Sequence, residues 1–177
     1  MKTITLTDFL ENKGFYLSEA KKNKIFIYPT DTIYGIGAIV SKDNEAKIFA
    51  IKHRDTKKMF SIIAPDFERI KEKYQLREAQ YDSLQEYLEK YHGVTYIFDY
   101  TKPGVRIIKH PFQQFVEALK LPFITTSCNI SGEPAILEIK NIPEEIASQV
   151  DYIIDGGILW GKPSVLIDFV NNKIIER

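Results

Sequence analysis

The sequence predicts an α/β fold: a single domain, residues 1–177, with a twisted mixed parallel/antiparallel sheet, flanking helices and an open cleft. Three observations predict it. Apolar runs suited to strands alternate with helical patterns along the chain. The last segment, "PSVLIDFVNNKIIER", reads as a hairpin turning at Asn171-Asn172, which makes the sheet mixed and not purely parallel. No repeat and no Pro/Gly/Ser linker divides the 177 residues, enough chain for one core.

Each element follows from its residues. Positions 7–22 carry short helical patterns, and residues 24–29, "KIFIYP", read as a strand. "SKDNEAKIFAIKHR" reads as a helix with Ser41 or Asp43 as N-cap and Ala46, Ile48, Phe49 and Ile51 as apolar positions. "MFSIIAP" is a short apolar run closed by proline, hence a strand. "REAQYDSLQEYLEKY" is a helix with Tyr81, Leu84, Tyr87 and Leu88 on one face, and "GVTYIFDY" and "PGVRIIK" are two strands. "PFQQFVEALKL" is a helix opened by Pro111, a favoured first-turn residue. "PFITTS" is a strand, "IPEEIASQV" a helix and "DYIIDGG" a strand.

Composition excludes some function classes. Lys plus Arg and Asp plus Glu are 24 each, so global charge does not point to nucleic acid or membrane, and an anion site must come from local arrangement. The N-terminus lacks the apolar core of a secretory signal, and no window approaches a membrane span. Cys128 is the lone cysteine, so no internal disulfide forms. Together these features predict a cytoplasmic protein with no membrane contact.

Several segments carry candidate chemistry. "KIFIYPTDTIYGIG" leaves an apolar strand and at once presents a proline, two threonines, an aspartate and two glycines, which suits a tight turn or a site equally. "IKHRDTKK" holds Lys52, Arg54, Lys57 and Lys58, either a solvated helix end or a phosphate clamp. Residues two apart on a helix point roughly 200° apart, so Lys52 and Arg54 converge only if the helix ends between them. "TTSCNISGEPA" supplies hydroxyls, an amide and a glycine after a strand, either a polar loop or an anion nest. Cys128 inside it has no base beside it and reads as a small core residue. Arg106 alternates with Val105 and Ile107, so it leaves their apolar face and suits a carboxylate if it meets a cleft. "GGILWGKPS" fits G-x-x-x-x-G-K, but Pro163 replaces the required Ser or Thr and β-rich residues follow, which rejects a P-loop. His53, His92 and His110 lack metal-ligand spacing, and no metal site is expected.

In order, these segments are similar to the YrdC family of threonylcarbamoyl-AMP synthases. The family's opening motif resembles "YPTDTIYGIG", its K-x-R resembles Lys52-His53-Arg54, and its GVR-x-P-x-HP resembles "GVRIIKHP". Its S-x-N-x-S-G-x-P resembles "SCNISGEP", and its PSTVVD resembles "PSVLID". The resemblance implies an enzyme, a nucleotidyltransferase making threonylcarbamoyl-adenylate and pyrophosphate from L-threonine, bicarbonate and ATP. Mg²⁺ would ride on the ATP. Partner proteins would then modify the adenosine 3′ of a tRNA anticodon, and tRNA or dsRNA binding is possible in such a family. It implies that Thr32, Arg106, Thr125 and Ser164 hold threonine. Arg54, Lys58, Ser127, Asn129, Ser131 and Arg177 are implied to meet ATP, with Lys52 and Arg54 at the reacting groups. It also marks departures: Ile63 where many members place a histidine that contacts threonine, Lys102 where a threonine touches ATP, and Ala135 for a Ser or Thr. A relative that lost catalysis and kept RNA or nucleotide binding is the alternative these departures imply.

Overall fold

The fold is organised by a ten-stranded sheet in the order β1-β8-β2-β3-β7-β4-β6-β5-β9-β10, seen in a computed structural model that describes residues 1–176. The strands are β1 (Lys2–Thr5), β2 (Phe26–Tyr28), β3 (Gly35–Gly37), β4 (Ser61–Ile63), β5 (Val94–Ile97), β6 (Val105–Arg106), β7 (Phe123–Ser127), β8 (Tyr152–Asp155), β9 (Val165–Asp168) and β10 (Lys173–Ile175). Helices α1 (Leu6–Glu11), α2 (Lys13–Ala20), α3 (Lys42–Ile51), α4 (Phe67–Tyr74), α5 (Glu78–Lys90), α6 (Gln113–Leu119) and α7 (Glu144–Ala147) flank it. The sheet is mixed as expected: β1–β8, β2–β8, β4–β6 and β5–β9 are parallel, and β2–β3, β3–β7, β4–β7, β5–β6 and β9–β10 antiparallel.

The local chemistry explains the boundaries. Ser41 caps α3 by accepting from the Asn44 N–H at 3.2 Å, so of the two candidate caps serine is used. The final hairpin pairs β9 with β10, and Asn172 turns it with φ 53°. Pro111 sits one turn earlier than the helix proper: α6 begins at Gln113, after a turn in which His110 Nδ1 accepts from the Phe112 N–H. Three elements go beyond the sequence reading. β1 has one buried residue in four, too little pattern to see. β3 is only "GIG", which reads as part of a turn. α4 did carry a signal, with Phe67, Ile70 and Tyr74 on one face and Asp66 accepting from the Arg69 N–H at 2.7 Å.

The apolar side chains form three clusters. Phe26, Tyr28, Ile63 and Phe123 on one sheet face pack with Phe9, Phe112 and Phe115 from α1 and the α6 region. Ile27, Ile36, Ile124 and Ile153 pack with Ile48 and Ile51 of α3 and Ile146 of α7. Ile62, Tyr96, Val105 and Ile167 pack with Ile70 of α4 and Leu84 of α5. Register places Ser61 opposite Thr125 and Ile63 opposite both Phe123 and Arg106, so these residues share one face. Part of that face carries the first cluster. The remainder, where Ser61, Thr125 and Arg106 emerge, is open and polar, and it floors the cleft.

Candidate active site

The cleft is a cavity of 380 Å³, and one wall is the loop 29–34 between β2 and β3. Thr30 folds this loop. Its hydroxyl accepts from the N–H groups of Thr32 (3.1 Å) and Ile33 (3.3 Å) and donates to the Ile33 carbonyl (2.7 Å). Thr30, and not Asp31, therefore holds the turn. Asp31 reaches inward instead: Oδ1 forms a 2.5 Å ion pair with Arg106 Nη2, and Oδ2 accepts from the Lys109 N–H at 2.9 Å. Glycine at position 37 has a structural reason, since a Cβ there would lie 1.8 Å from the Ile124 carbonyl oxygen on the neighbouring strand.

Arg106 is 8% exposed and lines the cleft. Its Nη groups lie 3.4 and 3.5 Å from Thr32 Oγ1, and its Nε–H is buried with no partner among the described residues. A buried guanidinium with one donor unmet is an incomplete anion site. Gly93 permits the cluster, because a Cβ there would meet Thr32 Cγ2 at 2.6 Å. Thr125 stands on the same floor, while Thr95 and Ser164 line the cleft with their hydroxyls 2.8 Å apart.

The second half is built by a loop and a lysine. Helix α3 ends at Ile51, Lys52 is its C-cap, and His53 turns left-handed with φ 47°. The required break thus exists, but the two cations separate and do not converge. Arg54 lines the cleft, with Nε donating to the Lys58 carbonyl (3.2 Å), Nη2 to the Met59 carbonyl (3.0 Å), and its guanidinium 5.3 Å from the Phe60 ring centroid. Lys52 is 1% exposed and lies beneath the loop after β7. Its ammonium donates to the carbonyls of Ser127 and Asn129 (2.6 Å to the latter) and to Asn129 Oδ1 (3.0 Å). Burial lowers its pKa to about 8. Ser127 Oγ donates to Asn129 Oδ1 at 2.5 Å, and Asn129 Nδ2 donates to the Glu133 carbonyl at 2.5 Å. The N–H groups of Cys128, Asn129, Ser131 and Glu133 are used within the protein. Cys128 is fully buried, and burial pushes its thiol up to about 12, as suits a core residue.

The structure therefore brings Thr32, Arg54, Arg106, Thr125, Ser127, Asn129 and Ser164 to one cleft. Lys52 is outside its lining and reaches the loop from behind. Lys58 and Ser131 are exposed and outside the lining. Arg177 lies outside the described residues. Sequence reasoning missed Thr30, Ser61, Thr95 and Glu133. Thr95 carried a signal, as the one small polar residue in the run "VTYI". Among the described residues no cluster of three or more His, Cys, Asp or Glu could cage a metal. Glu133 is the one acidic side chain lining the cleft, a donor set that suits a cation carried in by phosphate oxygens.

The family of proteins described as "Telomere recombination" (Sua5/YciO/YrdC) matches residues 18–177. The chain belongs to this family. A Methanocaldococcus jannaschii protein provisionally named threonylcarbamoyl-AMP synthase is 31% identical over 92% of this chain and 82% of its own length. The threonylcarbamoyl-AMP synthase of Pseudoalteromonas translucida is 23% identical over 88% and 91%. Among solved structures, P. abyssi Sua5 complexed with L-threonine is similar with a TM-score of 0.77 and 21% identity, covering 92% of this chain. E. coli YciO is similar with a TM-score of 0.77 and 22% identity, over 93% of this chain and 86% of its own. The chain spans about half the length of Sua5, 52% in the threonine complex. These likenesses confirm the single-domain α/β fold with its mixed sheet. No helix among the described residues is long and apolar enough to cross a membrane.

Proposed function

We propose that this chain is a threonylcarbamoyl-AMP synthase, a nucleotidyltransferase that makes threonylcarbamoyl-adenylate and pyrophosphate from L-threonine, bicarbonate and ATP. The product would serve tRNA modification through partner proteins. The observation that carries this reading is the pairing, in one cleft of this family, of Arg106 with an unmet donor and Arg54 beside the Ser127–Glu133 loop. Two anionic reactants need two such places.

In the proposed reaction the threonine carboxylate is drawn to the Arg106 guanidinium, which Asp31 holds in place through Nη2. Thr32, Thr125 and Ser164 offer hydroxyls to the rest of the amino acid. Bicarbonate, after losing hydroxide, gives CO₂. The threonine amine nitrogen bonds to its carbon and releases a proton, leaving a carbamate. A carbamate oxygen attacks the α-phosphorus, and the bond to the β-phosphate oxygen breaks, so that pyrophosphate leaves with the electron pair. No covalent protein intermediate is required; positioning and charge stabilisation suffice. Arg54 supplies a cation to the phosphates, and the loop pinned by Lys52 presents Ser127. Mg²⁺ bound to ATP would neutralise phosphate charge.

The decisive test is incubation with threonine, bicarbonate, ATP and Mg²⁺, reading pyrophosphate and the adenylate by mass. Absence of both, where a positive-control synthase works, overturns the activity of this chain. One observation favours a second reading, an RNA- or nucleotide-binding relative without catalysis. Ile63, in place of a substrate-contacting histidine, is fully buried in the aromatic cluster and offers the cleft nothing. Thermal stabilisation separates the two, because a ligand that binds only the folded state raises Tm. A synthase responds to threonine as well as ATP. The binding module does not respond to threonine.

A further inference from the structure

We propose that a second cavity, on the sheet face opposite the cleft floor, binds a small amphipathic monoanion: an apolar body with one carboxylate. The cavity measures 340 Å³, within the range of small-molecule sites. Its floor includes Ile62 of β4, Val105 of β6 and Ile70 of α4, which are 5%, 1% and 1% exposed. Ile62 and Val105 are register partners, and each alternates with a cleft residue, Ser61 and Arg106. An occupant would thus lie across one thickness of sheet from the cleft floor.

The rim decides the chemistry. Arg69, Lys73 and Lys120 surround the apolar floor, against the single acid Glu72. The Arg69 guanidinium and the Lys120 ammonium make no hydrogen bond or ion pair among the described residues, and Lys73 has only the face of Tyr74, at 5.7 Å. Cations close by are already paired. Lys71, on the same helix as Lys73, holds Glu78 at 2.8 Å, and Lys102 holds Asp99 at 3.3 Å. The rim therefore carries three cations with no ion pair among the described residues. A bare inorganic anion would leave the floor uncovered, and a neutral hydrocarbon would leave the cations unmatched. A molecule with both parts satisfies both, with its carboxylate at the Lys and Arg rim and its chain over Ile62, Ile70 and Val105.

The probe is octanoate, followed by the isoleucine methyl resonances of the full chain, with 1-octanol and inorganic phosphate as controls. No nucleotide or threonine is present, so the outcome is independent of the proposed synthase activity. Octanoate should shift the Ile62 and Ile70 methyls saturably and bind about ten-fold more tightly than octanol, with phosphate giving no methyl shift. The double variant Lys73→Gln/Lys120→Gln, on exposed positions that leave the core intact, should weaken octanoate about ten-fold and leave octanol unchanged. The proposal is overturned by any of three results: no saturable shift, octanol binding as tightly as octanoate, or equal octanoate affinity in the folded double variant.

Discussion

The two halves of the cleft are built in different ways. Around Arg106 the positions are set by strands: β6 carries the arginine, β5 carries Thr95, β7 carries Thr125, and a buried aspartate clamps the guanidinium. Past the end of β7 at Ser127 the positions are set by a loop, and the buried Lys52 ammonium from another element ties its first residues together. The first half resists change because the sheet defines it. The second leans on Lys52, which meets three of its acceptors at once, and Lys52 should therefore matter more than residues that touch ligand.

The largest expected effect is thus at a residue outside the cleft lining. Lys52→Met strands the Ser127 and Asn129 acceptors, and losing such charge-assisted bonds costs about 3 kcal/mol. Tm should fall by about 6–12 °C, and ATP affinity, measured by calorimetry, about a hundred-fold. Normal nucleotide binding by a folded Lys52→Met protein would show that the loop holds itself. Next is Arg106→Ala, which should lower threonine kcat/KM roughly ten- to a hundred-fold while ATP affinity changes little. It also strands Asp31, so Tm falls too, and the split between the two substrates is the informative reading. Asp31→Asn should produce the same split at about ten-fold, because the amide keeps an acceptor for the Lys109 N–H but loses the charge that fixes Arg106. If Asp31→Asn impairs ATP and threonine equally, the aspartate supports the fold at large and not the arginine. Arg54→Ala is expected to reverse the pattern, with ATP use falling about ten-fold and threonine use unchanged.

What was legible in the sequence follows the same division. The strand-built half was visible because alternation is a local property: Arg106 between Val105 and Ile107 declares its face. Most strands and most helices followed from periodicity for the same reason. The loop-built half was legible as a set of polar residues, yet not as an arrangement. Whether Lys52 meets solvent, ligand or protein depends on a left-handed His53 and on a loop residue 77 positions away, and no local pattern encodes that. The role of Asp31 was hidden for a related reason. Asp and Thr both make local turns, and only the position of Arg106 across the sheet decides that threonine turns the chain while aspartate reaches inward.

The smallest expected effect separates the two halves by pH. Burial lowers the Lys52 pKa to about 8, below the ordinary lysine value of 10.5. Between those values the folded protein has released the proton that the unfolded chain still holds, so from this group stability rises with pH across that window. The loop responds in the opposite sense. A neutral amine has fewer hydrogens and no charge to offer the Ser127 and Asn129 oxygens, so the loop's anchor weakens as the proton leaves. ATP affinity should therefore fall several-fold as pH rises through about 8, with no matching loss of Tm attributable to Lys52 and little change in threonine affinity. General alkaline loosening would lower all three together. Lys52→Met should abolish the step while leaving its binding uniformly weak, and a wild-type ATP affinity that stays level across about pH 7–9.5 would mean the ammonium does not govern the loop.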